Sequence, residues 1–200
     1  MHILFFDTET TGLPSNGPNK MDTCRLLQIS YIVCSSENME KILIEKDYVI
    51  KADGWTIPNA EFHGVSMERS QQEGQDLLKV VEEIKTDFLN ADVVLAHNAA
   101  FDKSVIQSEL SRNNHELLST MNWDKFVCTM KLTKYIVKAK NKLGKLKNPT
   151  LNELYEHTFW TTMDHAHNSL YDTRNLHTVM AELVRRRKVS LAKLVMDTNK

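Results

Sequence analysis

No stretch of the 200-residue sequence approaches the roughly 18 consecutive apolar residues that a membrane span requires, so no membrane partner is expected. Residues 1–6 are too few for a signal-peptide core and lack a basic leader. Cysteine is scarce. Cys24, Cys34 and Cys128 form no CxxC pair and cannot all pair off, which fits a reducing, cytoplasmic compartment. Surplus positive charge is missing too. A net charge of −1 argues against bulk electrostatic capture of nucleic acid, though not against a local site where metal ions supply the positive charge. No repeat, low-complexity stretch or linker divides the chain, and its length suits one domain.

What is present is a packable core, with 42% hydrophobic residues arranged in two alternating periods. Residues 3–7 read as a central strand, and 26–34 and 42–50 as two more. The turn-rich "GWTIPNAEFHGVS" follows, with Phe62 expected in the core alongside the "ILFF" run. Residues 77–89 have apolar side chains at helical spacing, and 93–96 read as a short buried strand. Further helices are expected from Phe101, over "CTMKLTKYIV", after the entry signals Asn148 and Pro149, and over 170–187. Three strands followed by strands interleaved with helices imply an α/β fold with a mixed sheet.

The chemistry lies where the first strand ends. "ILFFDTETTGLP" passes from four apolar residues into Asp7-Thr8-Glu9, two carboxylates on one face because strand side chains repeat every two residues. The strand at 93–96 leads into "HNAAFD", with Asp102 just inside a helix. "DHAHNSLYDT" opens the last helix with His167 and Asp172. Strand ends and the helices after them share one edge of an α/β sheet, so Asp7, Glu9, Asp102 and Asp172 are expected to converge there. Four carboxylates in one cleft repel unless hard cations neutralise them, and an all-oxygen donor set suits two Mg²⁺ or Mn²⁺ ions rather than zinc. Two such ions about 4 Å apart suit phosphoryl transfer.

"FDTETTGLP", "IPNAEFHGVS", "HNAAFD" and "HNSLYDT", in this order, resemble the DEDDh branch of the 3′–5′ exonucleases, nearest to the proofreading epsilon subunits of bacterial DNA polymerase III and their free-standing bacterial and phage relatives. The resemblance implies a ribonuclease H-like fold, with a mixed five-stranded sheet flanked by helices over residues 1–187 and a tail over 188–200. It also implies hydrolysis of terminal phosphodiesters, most naturally of single-stranded DNA, to nucleoside monophosphates. The family's metal-binding acids fall on Asp7, Glu9, Asp102 and Asp172, and its general base on His167. Asp7 would bridge two ions, Glu9 and Asp172 would complete one site, and Asp102 would reach the second. Thr10, Thr11 and Leu13 would hold the 3′ end, with His63, Asn98 and Phe101 lining the nucleotide pocket. Ser169 stands where the family usually has alanine, a nearly isosteric change expected to do little.

Plainer readings compete at several positions. Asp102 alone could be a first-turn acid complementing its helix dipole. His97 reads as a satisfied structural histidine and His157 as a surface one. His165 and His167 flank Ala166 as a zinc pair would, but no third ligand at metal spacing supports that. Residues 131–147 hold seven lysines, no acid and Tyr135, which suits either phosphate contacts or a solvated face. The basic run 185–188 reads as a helix-end complement to the dipole. The tail has enough apolar residues for a short helix that could dock on the body or on a partner. Alternatives to a free-standing enzyme are a proofreading module docked on a DNA polymerase, an RNA-trimming exoribonuclease and a catalytically dead nucleic-acid-binding domain. Only about a dozen residues follow Arg187, fewer than a polymerase-docking tail usually has, and the intact acid set opposes the dead domain.

Overall fold

The computed structural model of the chain describes residues 1–13, 24–164, 168–190 and 192. Strands β1 (His2–Thr10), β2 (Leu26–Ser35) and β3 (Asn38–Val49) come first. Helices α1 (Ala60–His63), α2 (Met67–Glu73) and α3 (Leu77–Asn90) lead to β4 (Val93–Ala96). Then come α4 (Ala99–Arg112), α5 (Leu117–Thr120), a single 3₁₀ turn (Trp123–Lys125), β5 (Phe126–Cys128), α6 (Thr129–Val137), α7 (Leu151–Phe159) and α8 (Ser169–Arg185). The sheet order is β3-β2-β1-β4-β5. β1 and β2 pair antiparallel, as do β2 and β3, whereas β1–β4 and β4–β5 are parallel. The sheet is mixed and five-stranded, as expected.

Alternation along β1 divides the core. Leu4 and Phe6 point into a layer with Val80, Ile84 and Phe88 of α3 and Val105 and Leu110 of α4. Ile3 and Phe5 point to the other side, against Leu154 of α7 and Leu176, Val179 and Met180 of α8. The same alternation carries Asp7 and Glu9 onto the α8 face once the apolar run ends. β1 does not stop at Asp7, however. Both acids remain in the ladder, opposite Ser30 and Gln28, and the register slips only between Glu9 and Thr10, where β2 contributes an extra residue. Such a bulge re-aims the strand end, here toward Thr11 and Gly12.

The expected elements run longer or shorter than the sequence suggested in a few places. β5, with three residues, is too short for a periodic signal and joins the sheet through Val94, Leu95 and Ala96. α2 is set by a local cap, Ser66 accepting the Arg69 N–H. The C-terminal end of α3 meets Lys125 of the 3₁₀ turn, whose buried ammonium donates to the carbonyls of Phe88, Leu89 and Ala91 at 2.6, 3.1 and 3.0 Å. A cation on the final carbonyls of a helix satisfies groups the helix cannot satisfy itself. All three cysteines are free thiols. Arg185 and Arg186 close on Glu182. Among the described residues no helix is long and apolar enough to cross a membrane. The tail expected over 188–200 lies outside the described residues except at 188–190 and 192.

Candidate active site

Three elements deliver the carboxylates to the end of β1. Asp7 and Glu9 come from β1 itself. Asp172 comes from the first turn of α8, where Asn168 caps the helix by accepting the N–H groups of Leu170 and Tyr171. Two hydroxyls seat that turn on the sheet: Ser169 Oγ donates to the Asp7 carbonyl at 2.6 Å, and Thr173 Oγ1 to the Ser30 carbonyl at 3.2 Å. Ser169 is therefore more than a stand-in for alanine. It ties the backbone of one acid to the helix that carries another, which isostericity alone did not reveal. One carboxylate oxygen each from Asp7, Glu9 and Asp172 lies within 4.8 Å of the others.

Asp102 approaches from the opposite layer on α4. Its Oδ1 accepts the Thr8 hydroxyl at 2.7 Å and the Thr8 N–H at 3.2 Å. It stands beside the triad rather than in it, close enough to act on the charge of Asp7 and Glu9. Burial pushes the Asp7 carboxyl well above the usual range, with Asp102, Asp172 and Glu9 adding to the shift. Burial, then Asp172 and Asp102, raise Glu9 to about 8. Asp102 is raised to about 7 by burial, against the Thr8 hydrogen bonds that favour its charged form. Among the described residues no cation counts among the groups acting on these three. An all-oxygen, charge-deficient cluster fits a hard divalent cation, and Asp7, Glu9 and Asp172 are the residues that would hold it.

Beside the cluster opens a pocket of about 610 Å³. Glu9 belongs to both. Thr10 at the end of β1, Thr11 and Leu13 just beyond it, His63 from α1 and Phe101 from α4 line it, as does Phe62. Phe62 corrects the sequence reading, which put it in the core: it is 68% exposed, at the pocket wall. Because α1 is one short turn, its apolar residue has no layer to pack into, so the residue type alone misled. Asn98 is exposed in a left-handed conformation (φ 84°) at the start of α4 and is not among the lining residues. His63 is buried, and its ring is fully engaged. Val65 N–H donates to Nδ1 at 3.2 Å, which assigns the proton to Nε2 and directs it to the Pro58 carbonyl at 3.1 Å. His97 is likewise satisfied, by Thr129 Oγ1 and the Pro149 carbonyl. His165 and His167 lie outside the described residues.

The exonuclease family RNase T matches residues 4–180, nearly the whole chain. The chain belongs to this family. It is a 3′–5′ exonuclease, a nuclease of nucleic acid, of a divalent-metal-dependent family, and its fold carries an acidic cluster that could hold a cation. No curated protein matches the chain by sequence. Solved structures match the exonuclease fold, the ribonuclease H-like arrangement of a five-stranded mixed sheet between helical layers. Exonuclease X, in complex with 5′-overhanging duplex DNA, aligns with TM-score 0.64 and 18% identity over 98% of this chain and 99% of its own. The nuclease domain of 3′hExo, a DEDDh member bound to rAMP, aligns with TM-score 0.68 and 12% identity over 92% of both chains. Exonuclease I of E. coli, in a zinc-bound form with single-stranded DNA, gives 0.70 and 19% over 94% of this chain but 41% of its own.

Proposed function

We propose that this exonuclease removes nucleoside monophosphates from the 3′ end of single-stranded DNA, with two Mg²⁺ or Mn²⁺ ions at the carboxylate cluster. The observation that carries the reading is Glu9, shared between the carboxylate cluster and a pocket of nucleotide size. Asp7, Glu9 and Asp172 would hold one ion, and Asp102, oriented by Thr8, would serve the second. When bound, the ions neutralise charge on the phosphoryl oxygens and make water a stronger nucleophile.

The remaining steps belong to the chain. Leu13, Phe62 and Phe101 give the terminal base apolar surface, and base–aromatic stacking is tolerant of sequence. Thr10 and Thr11 would fix the terminal sugar, on a backbone that turns at Gly12, whose φ of 155° suits glycine. His63, with both ring nitrogens committed, would shape the wall rather than donate to substrate. His167 would accept the proton of the attacking water, since an imidazole titrates near the operating pH. The single-stranded DNA seen with E. coli exonuclease I supports the choice of strand.

The test is digestion of matched DNA and RNA oligonucleotides, single- and double-stranded, labelled at either end. Stepwise loss of a 3′ label from single-stranded DNA, blocked by a 3′-phosphate, is expected. Cutting of circular strands would refute the pocket assignment, and preference for RNA would refute the substrate.

A further inference from the structure

The segment 131–147 holds seven of the chain's 25 basic residues and none of its 26 acids. Elsewhere about half of the long cations are engaged: Arg25, Arg69, Lys85, Arg112, Arg174, Arg185 and Arg186 meet carboxylates, and Lys103 and Lys125 meet carbonyls. Those without an ion pair among the described residues, such as Lys41, Lys46, Lys51 and Lys79, are scattered among acids rather than gathered in one acid-free segment. In this segment only Lys147 is paired, with Glu153 at 2.8 Å. Among the described residues the other six lysines have no ion pair.

These lysines stand on a built surface. Leu132, Ile136 and Val137 of α6 pack against the core, and Thr133 is fully buried, which turns Lys131, Lys134 and Lys138 outward at spacings of three and four. Tyr135 shares that face, four residues from Lys131 and 72% exposed. Beyond α6 the chain forms a small hairpin. Asn141 N–H donates to the Lys145 carbonyl at 2.8 Å and Lys147 N–H to the Ala139 carbonyl at 2.9 Å, with Gly144 at φ 72° in the turn. The Asn141 side chain accepts the N–H groups of Leu143 and Lys145, so Lys140, Lys142 and Lys145 are presented on ordered backbone.

A helix dipole accounts for Lys134 and Lys138 at the end of α6, but not for Lys131 in its first turn or for the hairpin. Like charges at such spacing repel, and nothing within the described chain offsets them. Both ends of the segment are fastened beside the active site. Thr129 Oγ1 donates to the Ala96 carbonyl at 3.1 Å and meets His97 Nδ1, while His97 Nε2 meets the Pro149 carbonyl at 3.0 Å. His97 directly precedes Asn98 and α4, the helix that carries Asp102.

We infer that the α6–hairpin surface binds the phosphate backbone of the substrate strand upstream of the 3′ end, with Tyr135 as a stacking platform. This rests on the exonuclease reading above and deepens it: long single strands are gripped in two places, short ones only in the pocket. Aromatic and cationic side chains in combination suit single strands regardless of sequence.

The test compares the parent with Lys138→Gln/Lys140→Gln/Lys142→Gln/Lys145→Gln on DNA single strands of about 4 and about 30 nucleotides. The variant should raise KM for the long strand at least about tenfold with kcat unchanged, and leave the short strand within about twofold. Each lost phosphate contact should flatten the log–log salt dependence of long-strand binding by about 0.7. That binding is measured by fluorescence anisotropy in chelator, so it reads the surface even if digestion fails. An unchanged long-strand KM and salt slope would overturn the inference, as would an equal loss on both lengths. A parent that digests neither strand but still loses long-strand binding on substitution would overturn the exonuclease reading and leave this surface standing.

Discussion

Glu109 and Asp102 lie two turns apart on one face of α4, both almost sealed from solvent, and the fold treats them in opposite ways. Glu109 Oε1 is met by Arg25 at 2.9 Å, Arg112 at 3.0 Å and the Leu26 N–H at 3.0 Å. Asp102 is met by a threonine and by other acids. A buried carboxylate is costly without a partner, and at Glu109 the chain supplies one twice over. At Asp7, Glu9 and Asp102 the described residues supply no cation. On the proposed function, that difference separates a structural acid from an acid kept for a cation.

Breaking the contrast at the active site should have the largest effect. Chelation should abolish digestion, and Asp7→Asn should lower kcat by about 10³-fold or more at any cation concentration, beyond the 10²–10³ of a single lost transition-state hydrogen bond. Full activity in excess chelator would sink the metal reading. Glu109→Gln, by contrast, should leave the cation requirement unchanged.

Next in size is the proposed proton acceptor. His167→Ala should slow hydrolysis by about 10²–10⁴ while metal affinity stays near that of the parent, and it should remove the activity limb near neutral pH. His165→Ala should remain within about threefold of the parent in rate and pH profile, because nothing in the sequence pattern requires it to reach the attacking water. Reversed phenotypes, or loss of metal rather than rate in His167→Ala, would assign the imidazole a different role.

The acids were legible in the sequence because their signal is redundant: strand alternation, helix starts and motif order all point to one sheet edge. The sheet was legible for the same reason wherever strands were long. What the pattern misread or left unseen fell where tertiary context outweighs it. Phe62 has a core residue's chemistry on a one-turn helix with no layer to enter. β5 is too brief to show a period. Ser169 differs from alanine by one oxygen, and only the position of the Asp7 carbonyl gives that oxygen a function. Of the Glu109 cluster only the Glu109–Arg112 pair, three residues apart on α4, is local; Arg25 joins it across the fold and left no trace in the pattern.

A smaller effect tests the paired acid. Glu109→Gln removes the charge from between two guanidinium groups that remain about a quarter exposed, so solvent recovers part of the loss. A destabilisation of about 2 kcal/mol is expected, a fall in Tm of about 4–8 °C. Because Arg25 also exchanges hydrogen bonds with Thr11 at the pocket rim, KM should rise modestly as well. A variant as stable as the parent would show that Glu109 is no better placed than the unpaired acids.

The smallest effect, and the one that bears most directly on the contrast, is the stability of the cation-free protein. Asp7, Glu9 and Asp102 hold their protons to higher pH in the fold than in the unfolded chain, with Glu9 near 8 and Asp102 near 7. Between the ordinary carboxylate range and about pH 8 the native state therefore binds more protons than the unfolded state, and stability falls as pH rises. The partly buried His97 and the buried His177 act in the opposite sense, since desolvation lowers their proton affinity, but only up to the ordinary histidine range near 6.5. Thermal melts in chelator should thus show Tm falling between about pH 6.5 and 8.5. Saturating Mn²⁺ should flatten or reverse that slope, because a cation binds the ionised cluster and stabilises the fold by mass action. Asp7→Asn should raise the chelator Tm at the upper end by about 2–4 °C, the equivalent of about 1 kcal/mol, and lose most of the Mn²⁺ response. The same slope with and without Mn²⁺ would mean that the repulsion among these acids is relieved within the fold, as it is at Glu109.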